Sequence, residues 1–212
     1  GGARTIAKTP KLYRLWARTR RKPVSAWDAT LKKPYDTCGK GCSALVAAAD
    51  RSLAAEIAYR NGLKTAATLY DFHKFFDTIN ISTLIIESIY TEYPPVDLAI
   101  GLQQHLAPRV IQVAGFSSSP VIVTHSILAG CKQSCPMTKS LLYRSNQELQ
   151  SKFPNAPPKV YVDDTSMICK ADTWSVVQNT LAPCLIRFAT IVDKLNLSLS
   201  PKANIVSNHT KL

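Results

Sequence analysis

Two short β-prone runs, Lys159–Val162 and Thr165–Cys169, flank the adjacent carboxylates Asp163 and Asp164. That spacing predicts a tight antiparallel hairpin. Such a hairpin needs further strands to pair with, and it carries its acids to one end of the sheet. Side by side, two carboxylates repel each other unless a cation neutralises them. An ordinary acidic turn fits this pattern too, because Asp is common in turns.

Asp71 bears on the choice. It ends another β-prone run, Thr65–Tyr70, whose strand would bring a third carboxylate to the hairpin. Three carboxylates around two Mg2+ ions are what a two-metal nucleotidyl transfer requires. A role for Asp71 as N-cap of a following helix is compatible with that one.

Helical periodicity marks Ser43–Tyr59, with Leu45, Ala48, Ala49, Leu53 and Ile57 on one face, Ser43 as cap and Asn61-Gly62 as stop. Further helices are expected at Ser82–Tyr90, Val96–Leu106, Met137–Lys152 and Trp174–Leu195, the last kinked or split by Pro183. Val121–Thr124 and Ala203–Ser207 read as strands. The fold class is α+β. The order predicts a ferredoxin-like β-α-β-β-α-β antiparallel sheet with helices on one face.

The formal net charge of +12 favours an anionic partner, nucleic acid before a membrane surface. Part of it lies in Lys8–Lys22, which has no acid. That segment reads as a packed amphipathic helix, through Leu12, Leu15, Trp16 and Thr19, or as an Arg-rich transit peptide. The six cysteines include two C-x3-C pairs, Cys38/Cys42 and Cys131/Cys135, which lack common zinc-knuckle spacing and read as reduced thiols. No stretch approaches the roughly 18 uninterrupted apolar residues of a membrane span.

Leu69–Asp77, Ala129–Pro136, Tyr161–Asp164 and Leu195–Lys202 resemble, in order, motifs A, B, C and D of reverse transcriptases. The resemblance covers roughly Asp36 to Asn208 and is closest to the non-LTR retrotransposon and group II intron side of that family. It implies a polymerase palm over 63–212, with interleaved fingers elements, and a partial, basic, helical fingers region over 1–62. The thumb would be missing or would lie elsewhere in a larger retroelement polyprotein.

The resemblance also assigns roles. Asp71, Asp163 and Asp164 would be catalytic carboxylates holding two Mg2+ ions, with Mn2+ as a substitute, and Lys202 would act at the leaving pyrophosphate. Phe76 would exclude a ribose 2′-hydroxyl, and Phe72 and Gln133 would join it at the nucleotide. Arg14, Arg21 and Lys22 are candidates for nucleic-acid binding, with Lys40 another basic candidate. The implied partners are an RNA template, a DNA or RNA primer and dNTPs, in an intracellular setting, cytoplasmic or nuclear, with no membrane. Two departures stand out: Ser134 follows Gln133 where the family has Gly, and Thr138-Lys139 stands where Ser-Pro is frequent. A catalytically decayed nucleic-acid-binding remnant and an RNA-dependent RNA polymerase palm are the alternatives.

Overall fold

The computed structural model describes residues 8–38 and 41–208, so Lys40 lies outside the described residues. In chain order the elements are α1 (Lys11–Thr19), α2 (Arg21–Thr30), α3 (Ala44–Arg60), β1 (Lys64–Tyr70), α4 (Phe75–Thr78), α5 (Ile81–Tyr90), α6 (Pro95–Leu106), β2 (Gln112–Val113), β3 (Phe116–Ser117), α7 (Ser134–Lys152), β4 (Pro158–Tyr161), β5 (Asp164–Ala171), α8 (Trp174–Lys194) and β6 (Asn204–Ser207). The fold is mixed α+β with an antiparallel sheet. Two compact units divide it: the residues up to Leu31 with Lys74–Leu142, and Lys32–His73 with the chain from Tyr143 onward.

The second unit holds a four-stranded sheet in the order β4-β5-β1-β6, every pairing antiparallel. Alternation along its strands sorts the side chains. Ala66, Thr68 and Tyr70 of β1 face the same way as Thr165, Met167 and Cys169 of β5, and all six are buried. Helix α8 lies on this face, where Phe188 stacks on Tyr70 at 3.8 Å between ring centroids. The exposed edge of β4 is partly covered: Val160 N–H donates to Tyr35 O and Thr37 N–H to Val160 O.

Of the two expected effects of Pro183, splitting does not occur: α8 runs unbroken through it. Its buried stripe (Val177, Leu181, Cys184, Phe188, Ile191) runs across the proline, and burial on both sides offsets the cost of about 3 kcal/mol that an interior proline carries. By length and composition α8 could cross a membrane, with a mean hydropathy of 1.3. The stripe buried on the sheet supplies part of that apolar content, while Val176 and Ile186 are exposed.

Helix α3 begins as expected, with Val46 N–H donating to the Ser43 hydroxyl at 3.2 Å, and ends before Gly62 at φ +75°. Its inward face is not the expected one. Leu45, Leu53 and Ile57 are exposed, while Ala58 is buried and Ala47, Ala48, Arg51 and Ala54 are half-buried. Short alanines let the backbone approach the sheet, and Arg51 donates to the Ser166 hydroxyl at 3.2 Å. Ser166 alternates with the buried Thr165 and Met167, so α3 covers part of the face opposite α8. Helices therefore flank both faces rather than one.

In the first unit, α1 forms but turns inward through Tyr13 and Ala17, with Trp16 partly buried, leaving Leu12 and Leu15 exposed. Tyr13 and Ala17 pack with Leu128 and Cys131, and the Tyr13 hydroxyl lies 3.2 Å from Cys131 Sγ. Val121–Thr124 is not a strand; Val121 makes only an isolated bridge to Arg109. The local ribbon is instead β2–β3, closed by Ala114-Gly115, both at positive φ as a type I′ turn requires.

Candidate metal centre

The β4–β5 hairpin turns at Val162-Asp163, one residue earlier than expected, because Tyr161 pairs with Asp164. Val162 has φ +61°, and Asp163 is not among the positive-φ residues, which leaves the type II′ form of a two-residue turn. A β-branched residue at its first central position is strained. The shift makes Asp164 the first residue of β5 and orients it, by alternation, with Ser166 and Ile168 on the α3 side.

Asp71 follows β1 directly, one step beyond the Tyr70–Thr165 pair, which sets it across from Asp164 on that side. Ser200 N–H donates to Asp71 O at 2.7 Å and His73 N–H to Ser198 O at 2.8 Å, so the 198–200 segment clamps the backbone on both sides of Phe72. Partial burial and then the Asp71 charge push the Asp164 carboxyl upward, while the Arg51 guanidinium pulls it down. Asp71 and Asp163 are half-buried; Asp164 is exposed as a whole residue, with its carboxyl partly shielded.

These observations bring Asp71 and Asp164 together, whereas no group of three His, Cys, Asp or Glu side chains among the described residues forms a ready metal cage. The donor set fits Mg2+, which commonly takes one or two protein carboxylates and completes its shell with water and substrate phosphates. Beside the pair opens a cleft of about 440 Å³ lined by Ala47, Ala48 and Arg51 of α3 and by Lys159, Tyr161 and Asp164. Arg51 and Lys159 were not anticipated. The sequence held a weak signal for Arg51, which falls on the alanine face of α3.

The other candidates are distributed as follows. Lys202 is exposed in the turn before β6, its N–H donating to Ser200 Oγ. Phe72 is buried, with its ring 6.0 Å from that of Phe188 between centroids. Phe76, in the first unit, is half-buried with its ring edge-on to Phe75. Arg14, Arg21 and Lys22 are exposed on α1 and α2.

Gln133 is also interior, 2 % exposed, with its carbonyl accepting from Tyr93 Oη at 2.6 Å and its amide donating to Asp97 at 3.3 Å. Ser134 turns inward as well: its hydroxyl donates to Leu128 O at 2.6 Å, closing the turn ahead of α7. Lys139 ties α7 to α2 through Asp28 at 2.7 Å. Both departures from the resembled motif thus carry structural bonds. No protein-family model matches the chain, and no curated protein matches its sequence.

Proposed function

We propose that the chain is the palm, with part of the fingers, of an RNA-directed DNA polymerase that transfers dNTPs to a primer 3′-hydroxyl by a two-metal mechanism. The observation that carries the reading is the Asp71–Asp164 pair: two carboxylates on adjacent strands, at the mouth of a cleft, beside a strained hairpin that bears a third, Asp163. Strain of this kind concentrates at functional sites. The strand order β4-β5-β1-β6 with α8 between β5 and β6 supports a ferredoxin-like palm. Fold alone does not assign chemistry.

In this reading Asp71, Asp163 and Asp164 hold two Mg2+ ions, which would activate the primer hydroxyl and steady the triphosphate. Arg51 adds positive charge next to the pair, where developing phosphate charge needs stabilising, and Lys159 lines the same cleft with its ammonium donating to Pro34 O. Lys202 supplies a proton or a charge to the leaving pyrophosphate. The exposed Arg14, Arg21 and Lys22 contact nucleic-acid phosphates, so binding weakens as salt rises.

The test is extension of a primed RNA template in Mg2+ with either dNTPs or rNTPs, by this chain and by a longer chain with its natural flanks. Extension with dNTPs that is lost in Asp71→Asn and in Asp163→Asn is the expected result. Extension with rNTPs alone would make it an RNA polymerase. Salt-sensitive binding without extension by either chain would leave a nucleic-acid-binding remnant.

A further inference from the structure

Asp97 is fully buried in α6, a costly place for a charge unless it is paired and hydrogen-bonded. It is both. Arg20, at the α1–α2 junction, donates to it through Nη2 at 2.9 Å and Nε at 3.2 Å. The other carboxylate oxygen takes the Gln133 amide, and Tyr93 Oη closes the chain on the Gln133 carbonyl. Tyr93 is itself held edge-on by Trp27 of α2, whose indole donates to Thr91 O at 2.7 Å. Both ends of the Gln133 amide are therefore engaged inside the protein.

We propose that Gln133 is a positioning residue: Tyr93 and Asp97 lock it, Arg20 ties it to the basic helix pair α1–α2, and it acts by fixing the turn ahead of α7. What that turn leaves exposed is Ala129, Gly130 at φ +84° and the ammonium of Lys132, a surface suited to a phosphate-bearing ligand. This assignment rests on the polymerase reading, in which the segment resembling motif B serves nucleotide binding. It replaces the direct contact that the motif resemblance implies with an indirect one.

Two cycles of variants test it. In the first, the KM for dNTP and kcat are measured for wild type, Tyr93→Phe, Gln133→Ala and the double variant. Tyr93→Phe removes only the hydroxyl that holds Gln133. Each single change should raise KM roughly 3- to 10-fold with kcat little altered, and the double should be no worse than Gln133→Ala alone, as for residues acting through one network. A loss of about 100-fold in Gln133→Ala with none in Tyr93→Phe would mean direct contact and overturn the proposal. A lower unfolding midpoint with unchanged KM would also overturn it.

The second cycle needs no activity. Asp97→Asn strips Arg20 of its counter-charge, and Gln133→Glu sets a second carboxylate against the first. Each should lower the unfolding midpoint by roughly 5 °C or more. Together they restore one cation and one anion, and the double variant should recover much of that loss. Additive losses would dismantle the network itself. Absence of extension by the wild-type chains would defeat the polymerase reading, and the positioning role with it, while leaving this cycle to decide the network.

Discussion

Asp71 and Asp164 face the same side of the sheet from neighbouring strands, one step beyond the Tyr70–Thr165 pair. The Asp71 charge is one of the causes that raise the Asp164 carboxyl, so this end of the ladder stores like-charge repulsion that a divalent cation would relieve. Mg2+ at ten times its Kd should stabilise the wild-type chain by about 1.4 kcal/mol. Asp71→Asn and Asp164→Asn should lose most of that gain. Thermal unfolding with and without Mg2+ measures it, and equal stabilisation of all three proteins would remove the pair from consideration as a metal site.

Without metal the sign reverses. A carboxyl whose folded pKa is raised binds its proton more readily in the folded state, so its contribution to stability is lost as pH rises through that range. Asp164→Asn should therefore stabilise the metal-free chain at neutral pH, by under about 1 kcal/mol for so exposed a group. The gain should shrink toward pH 4. Chemical denaturation at several pH values in a chelator reads both the sign and the trend.

Much of this end of the fold was legible in the sequence. The run ending at Asp71, the β4–β5 hairpin, the Ser43 cap and the α8 stripe are local patterns, and local patterns survive in one dimension. What failed was orientation. Alternation places Asp164 only once the turn is set at Val162-Asp163, and a one-residue slip moves every following side chain to the other face. The large residues of α3 suggested an inward face that the structure gives to its alanines, because close approach to a sheet favours small side chains. The Arg20–Asp97–Gln133 network joins residues far apart in the chain, and nothing near any one of them announces the others.

Val162 offers a test of the strain at the hairpin. Holding a β-branched residue at φ +61° costs of order 1–3 kcal/mol, and glycine occupies that region freely. Glycine in turn costs about 1 kcal/mol in unfolded-chain entropy. Relief equals or exceeds that cost, so Val162→Gly should stabilise the protein by up to about 2 kcal/mol. Denaturant titration would register this as a higher midpoint with unchanged slope. A loss of 1 kcal/mol or more would mean that the Val162 side chain makes packing contacts worth more than the strain.

Within the proposed polymerase function, Phe76 bears on the choice between dNTP and rNTP. Its ring is half-buried and packs edge-on against Phe75 at 5.4 Å, while its backbone carbonyl accepts from Ile127 N–H. If that ring excludes a ribose 2′-hydroxyl, Phe76→Ala should raise the rNTP-to-dNTP ratio of kcat/KM by about 10-fold or more, with dNTP use changed far less. Competing dNTP and rNTP extension assays give the ratio directly. An unchanged ratio in an active enzyme would assign Phe76 to the core alone.

His105 should make the first unit acid-sensitive. Fully buried in α6, its ring accepts from Leu128 N–H through Nδ1, which places the proton on Nε2, an atom with no hydrogen-bond partner among the described residues. Burial, and then the nearby Arg109 charge, push its pKa down from 6.5 to about 4. Between those values the unfolded chain binds a proton that the folded chain refuses, so stability is full above pH 6.5 and falls as pH drops toward 4. The loss should be about 3 kcal/mol, at 1.36 kcal/mol per unit of pKa. Protonation would also convert Nδ1 from acceptor to donor, breaking its bond to Leu128 and loosening the turn that carries Gln133. In His105→Gln the side-chain carbonyl can still accept from Leu128, but nothing titrates. That variant should start less stable at pH 7.5 and show a clearly flatter decline between pH 6.5 and 4, whereas a slope equal to that of wild type would place the acid sensitivity elsewhere.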